Sequence, residues 1–194
     1  MRTTDHRYIR DRFKIELALR FIRLEARTNT IQLWTGLTAD RIRKLYRTHF
    51  HEVGLRVPRH RGKSPRQTSF FTRTMRLQNE SSSFGGLCAL LEVLPPEAGR
   101  GPLPAVATLE RGHRLCDAYE TFLRLIPRTT ISFEHAAYFV TSIFKGDELK
   151  LATCIDCAGL FVIDRLSLRP ERCARCIAGE AAPPTGKGGK LLLA

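Results

Sequence analysis

The sequence predicts a mainly α-helical protein: a helical domain containing a helix-turn-helix-like unit, with a small four-cysteine zinc module towards its C-terminal end. Three observations predict it. Apolar residues recur at helical spacing through most of the chain before Lys150, Gly and Pro clusters punctuate those stretches, and after Lys150 the pattern breaks into short segments around two Cys-x-x-Cys pairs. A chain of 194 residues accommodates one sizeable core with a small appended module. The expected organisation is a helical domain over 1–150, a metal module over 151–178 and a disordered tail over 179–194, rich in Ala, Pro, Gly and Lys.

The first element is an amphipathic helix over Asp11 to Ala26, with Phe13, Leu17, Phe21 and Leu24 on one stripe and Arg12, Lys14, Glu16, Arg20 and Arg23 off it. Arg27 to His49 reads as a helix, a turn at Thr35-Gly36 and a second helix opened by Thr38, a capping residue type, and carrying Ile42, Leu45 and Tyr46. Pro58 to Arg66 mixes breakers with Arg and Lys and lacks periodicity, so an exposed basic loop is expected. Phe70 to Leu94 is structured and stops at Pro95-Pro96, and Gly99, Gly101, Pro102 and Pro104 mark a connection. Val106 to Ile126 and Ser132 to Phe144 fit two more helices, and Leu160 to Ile163 suits a short strand.

Lys+Arg 32 against Asp+Glu 19 gives a formal net charge of +13, which favours a polyanionic partner, nucleic acid first. Met1 to Arg12 is polar, and no run approaches the length of a membrane span, so a cytoplasmic protein that does not engage a membrane is expected. Without an export signal, paired cysteines favour thiolate chemistry over a disulfide scaffold.

Fifteen residues separate Cys154-x-x-Cys157 from Cys173-x-x-Cys176, a spacing that suits one four-thiolate zinc site. Two residues between ligands let both sulfurs of a pair reach one ion. Four thiolates complete a tetrahedron and leave no position for water, so one structural Zn2+ per chain is expected. The same thiols could hold an iron–sulfur cluster, and a single Cys-x-x-Cys could act as a redox pair. Arg165, Arg169, Arg172 and Arg175 would offset the charge of the thiolates and leave a basic surface. Cys88 and Cys116 sit among apolar residues and are expected in the core.

In a helix-turn-helix the second helix enters the major groove of duplex DNA with exposed side chains near its N-terminus. Here Thr38, Asp40, Arg43, Lys44 and Arg47 would face outward, Ile42 and Leu45 inward, and Thr38, Arg43, Lys44 and Arg47 are the candidate DNA contacts. Asp40 would repel phosphate unless it accepts from cytosine or from an intramolecular partner such as Lys44. An ordinary helical hairpin with a solvated basic face is the alternative reading. The loop at Arg59 to Arg66 is either a second phosphate contact or a solvated loop. The sequence has no His–Glu metal motif and no nucleophile with an evident base, so enzymatic activity is not expected. A zinc-containing RNA-binding or ribosome-associated protein is the alternative to a DNA-binding one.

The segments Ile15-Glu-Leu-Ala-Leu19, Leu24-Glu-Ala-Arg27 and Leu37-Thr-Ala-Asp-Arg-Ile-Arg-Lys-Leu-Tyr46 resemble the N-terminal half of FlhC, a subunit of the flagellar master regulator, and the cysteine pairs resemble its zinc site. The similarity runs from about Ile9 to Ala178. It implies a bacterial transcriptional activator that binds promoter DNA in a hetero-oligomer with an FlhD-type subunit, recruits RNA polymerase and switches on flagellar operons.

Overall fold

A computed structural model describes residues 2–51, 54, 57–60, 62–94, 106–146, 148–168 and 170–181. The described chain is mainly helical, as the sequence predicts. In order it forms α1 (Arg2–Arg23), α2 (Thr28–Thr35), α3 (Ala39–Tyr46) continued by a π-helical turn (Arg47–His51), a 3-10 turn (Thr68–Phe71), α4 (Met75–Leu90), α5 (Leu109–Leu125), α6 (Phe133–Lys145), an antiparallel hairpin of β1 (Leu149–Thr153) and β2 (Leu160–Asp164), and α7 (Ala174–Ala181). The expected Pro/Gly connection after Leu94 and most of the expected tail lie outside the described residues.

Helix starts follow the capping chemistry of the sequence. Thr38, Thr74, Thr108 and Ser132 each accept a backbone N–H from the first turn of the helix they open. The short α2 is capped differently. Its N-cap is Arg27, and the buried Glu134 of α6 reaches across to accept the Arg27 amide at 2.7 Å and the Thr30 hydroxyl at 3.0 Å. A carboxylate at that end also faces the positive pole of the helix, so one buried charge satisfies two donors and complements a dipole. A second buried acid, Glu80 of α4, accepts from Arg76 at 2.7 Å and from Thr129 at 2.7 Å, fastening the loop between α5 and α6.

The core is aromatic. Phe84 of α4 meets Phe122 of α5 and Phe139 of α6 with ring centroids 5.4 and 5.6 Å apart, and Phe21 of α1 meets Phe133 of α6 edge-on at 4.8 Å. Leu17 and Phe21 are buried as expected, whereas Phe13, on the same predicted stripe, is 50% exposed, because α1 begins well before Asp11 and its first turns run past the core. Cys88 and Cys116 are fully buried. Burial pushes the Cys88 thiol well up and the Cys116 thiol to about 12, which removes both from thiolate chemistry near neutrality.

The hairpin is fused to the helices. In β2 the run Phe161, Val162, Ile163 is buried on both faces: Val162 joins the main core, and Phe161 and Ile163 form a second small core with Ala152, Cys154, Cys173 and Cys176. α4 passes so close that a Cβ on Gly85 would sit 2.7 Å from a Leu151 methyl carbon and 3.3 Å from the Phe139 ring. Strand β1 was not expected; Leu149–Thr153 is short, and its pairing is fixed by the β2 partner rather than by its own pattern. Helix α7 was not expected either, and it crosses the boundary anticipated at 178/179.

Truncating Phe84 to Ala removes the ring that three helices share and should lower unfolding free energy by roughly 3–5 kcal/mol. Chemical denaturation would measure it; a loss under about 1 kcal/mol would mean that α4, α5 and α6 are packed by other contacts.

Candidate metal centre and candidate DNA-binding surface

The first cysteine pair sits on the turn of the hairpin. Cys154 directly follows β1, its amide donates to the Gly159 carbonyl at 2.9 Å, and its carbonyl accepts from Ala158 at 2.9 Å, so Cys154 to Gly159 closes into a tight knuckle just before β2. The second pair opens α7, Cys173 immediately before it and Cys176 in its first turn. A backbone bond from Ile155 to the Glu171 carbonyl at 3.0 Å and an ion pair from Arg172 to Asp156 at 2.7 Å hold the two knuckles together.

The four sulfurs of Cys154, Cys157, Cys173 and Cys176 all lie within 4.8 Å of one another, with Cys157 and Cys173 at 3.8 Å. A tetrahedral thiolate centre with metal–sulfur bonds of about 2.3 Å has edges of about 3.8 Å, so the donor set fits one tetrahedral ion. Backbone amides supply the supporting shell: Cys173 donates to the Cys154 sulfur at 3.3 Å and Cys176 to the Cys173 sulfur at 3.5 Å. These four cysteines can therefore hold a metal ion, and they are the one such group of His, Cys, Asp or Glu among the described residues.

The Cys173 amide, more than any other neighbour, lowers the Cys154 thiol from 9.0 to about 6. Cys176 is pushed the other way by hydrogen bonds to the Cys173 and Cys157 sulfurs. Without metal the cluster keeps protons that an ion would displace, so binding releases protons.

The predicted basic surface around the cysteines is only partly present. Arg175 is exposed on α7, but Arg172 is paired with Asp156 and Arg169 lies outside the described residues. Arg165 sits at the opposite end of the hairpin, where its amide bonds to Glu148 and its guanidinium to the Gly146 carbonyl.

The helix-turn-helix-like unit has the predicted layout. α2 ends on Gly36, whose φ of 68° is the left-handed conformation that glycine adopts without steric cost, and only Leu37 separates it from the cap Thr38. On α3, Ile42 is fully buried and Leu45 is half-buried, while Asp40, Arg43, Lys44 and Arg47 recur at i, i+3, i+4 and i+7 on the exposed face. Of the side chains expected to face outward, Thr38, Asp40 and Arg43 are engaged within the chain. The Thr38 hydroxyl accepts from the Arg41 amide as a helix cap, and Arg43 rather than Lys44 pairs with Asp40, at 2.6 Å. Sequence reasoning missed Arg41, which makes a two-pronged bond to Asp11 of α1 at 3.0 and 2.6 Å and fixes α3 against α1. The acid thirty residues upstream carried no pattern that would have paired it with Arg41.

The segment expected as a basic loop is exposed yet fastened down as a strap. The Arg59 guanidinium lies 4.9 Å over the Tyr46 ring, His60 is 2.7 Å from Glu25, Arg27 donates to the Lys63 carbonyl, and Tyr138 donates to the Arg66 carbonyl at 2.8 Å. Arg61 lies outside the described residues. No helix among the described residues is long and apolar enough to cross a membrane.

Comparison with known proteins finds no family model that matches the chain, and no curated protein matches it.

Because the folded cluster lowers the Cys154 thiol, its thiolate contribution is fully present above the ordinary value of 9.0 and is lost as pH falls through about 6. Metal retention measured by dialysis from about pH 8 to about pH 5 should fall as the pH falls, because protons compete with the ion for the four sulfurs. Cys154→Ser should abolish stoichiometric metal binding, and a variant that keeps one ion per chain would remove Cys154 from the ligand set.

Proposed function

We propose that this chain is a non-enzymatic bacterial transcriptional activator of the FlhC type, which binds duplex promoter DNA through α3 and holds one structural Zn2+ ion on Cys154, Cys157, Cys173 and Cys176. The observation that carries the reading is the exposed face of α3: Arg43, Lys44 and Arg47 stand together on the second helix of a glycine-turned helix pair whose opposite face is buried. Such a helix can enter a major groove with its cations towards guanine edges and phosphates. The four-thiolate donor set and closed geometry favour zinc over metals that prefer oxygen ligands or open positions.

Arg43 starts its pairing with Asp40 at the surface, where both groups are mostly in water, so the bond can be exchanged for a phosphate or base at small cost. Lys44 and Arg47 extend the same stripe by one turn. The likeness of Leu37 to Tyr46 and of the cysteine spacing to FlhC supports the same reading. It adds the partners: an FlhD-type subunit in a hetero-oligomer, and RNA polymerase at flagellar operons. In this account the metal stiffens the hairpin and α7, and the helical unit makes the DNA contacts.

Arg43→Ala and Lys44→Ala should each weaken binding to a flagellar promoter fragment and reduce the salt dependence of log K by about one. Anisotropy titrations of the complex co-expressed with an FlhD-type subunit would measure both slopes. Structured RNA competing as well as duplex DNA would move the assignment to an RNA-binding protein.

A further inference from the structure

Behind the corner that joins α1 to α2, the strap and the facing parts of α5 and α6 line a half-open cavity of about 390 Å3. That volume lies within the range of small-molecule sites. One wall is apolar, made by Leu24, Leu123, Phe133 and the ring of Tyr119, whose hydroxyl is turned away to the Ile131 carbonyl at 2.9 Å. The rest of the lining is charged or polar.

The acids in that lining are already engaged. Glu134 caps α2 through the Arg27 amide and the Thr30 hydroxyl, and Glu25 is 2.7 Å from His60. His135 stacks on Phe70 with ring centroids 4.2 Å apart and directs its Nδ1 to Ser132, so it shapes the site without a free polar edge on that side. The guanidiniums are left with unmet donors. Arg27 spends one terminal nitrogen on the Lys63 carbonyl and makes no further side-chain hydrogen bond among the described residues. A guanidinium with terminal N–H donors to spare at a cavity wall suits a ligand oxygen, which it binds by a charge-assisted hydrogen bond. Arg23 stands at the same lining.

We propose that this cavity binds a small organic anion, a carboxylate or phosphate monoester on an apolar body, with its oxygens on Arg27 and Arg23 and its body against Leu123, Phe133 and Tyr119. The two requirements reinforce each other. Inorganic phosphate would meet the arginines but leave the apolar wall wet, and a neutral hydrocarbon would leave the two guanidiniums without an anion. The site is separate from the exposed face of α3 and from the cysteine cluster, so its occupancy can be tested without DNA.

Calorimetric titration of the metal-loaded full chain at about 0.15 M salt, which screens its diffuse positive charge, decides the matter. The probes are phenyl phosphate, phenylacetate and inorganic phosphate. Saturable binding of at least one phenyl-bearing anion, one per chain and about tenfold tighter than inorganic phosphate, is expected. Preference between the two phenyl probes identifies the anionic group. Arg27→Gln and Leu123→Trp, the second filling the cavity without touching a charge, should each weaken binding about tenfold, and Arg12→Ala on the far exposed turn of α1 should leave it unchanged. If Arg27→Gln fails to fold, Leu123→Trp decides. Heat that never saturates, equal binding of inorganic phosphate, or an equal loss with Arg12→Ala would overturn the proposal.

Discussion

The amide of Val162 donates to the Ser82 hydroxyl at 3.0 Å and its carbonyl accepts from the Gln78 side chain at 2.8 Å, so one residue of a two-stranded sheet has both backbone groups satisfied by a helix. An isolated hairpin of five-residue strands is marginal in water, and its outer edge would otherwise be open. Here α4 closes that edge while the Val162 side chain, fully buried, enters the helical core. Phe161 and Ile163 point the other way, onto the cysteines. Whatever holds the knuckles thus also holds β2 against α4.

The same economy marks the other buried charges. Glu134 and Glu80 are each 6% exposed, a placement that is costly for a carboxylate unless its oxygens are bonded. Glu134 takes two donors from the start of α2, and Glu80 takes an arginine and a threonine hydroxyl. Each therefore sets the position of a neighbouring element. For α2 the consequence reaches the exposed face of α3, because the Gly36 turn carries the orientation of one short helix into the next, and Arg41 with Asp11 ties the second to α1.

The helices, the cap at Thr38 and the cysteine cluster were legible in the sequence to different degrees, whereas the caps at Thr74, Thr108 and Ser132 were not singled out. Helical spacing around Leu17 and Phe21, and the threonine and serine residues before apolar runs, are local signals that a sequence carries openly. The spacing of the cysteines is equally local, which is why four residues whose first and last members lie twenty-two positions apart were brought together as expected. What was not legible depends on contacts distant in the chain. Strand β1 exists because β2 offers a partner, the strap is fastened by Tyr46, Glu25, Arg27 and Tyr138 rather than by anything within it, and Arg172 turned to Asp156 instead of to solvent. A run such as Phe161-Val162-Ile163 announces burial on two faces but not which element covers each.

The central claim is that a metal ion on the four cysteines and the helical body stabilise each other through β2. Residue-resolved hydrogen exchange of the Val162 amide, with the chain metal-loaded and then treated with a chelator, tests it most directly. Strong protection with metal, falling to the level of a frayed segment once the metal is removed while the amides of α5 and α6 stay protected, is the predicted result. Protection at Val162 that is indifferent to the metal would contradict it.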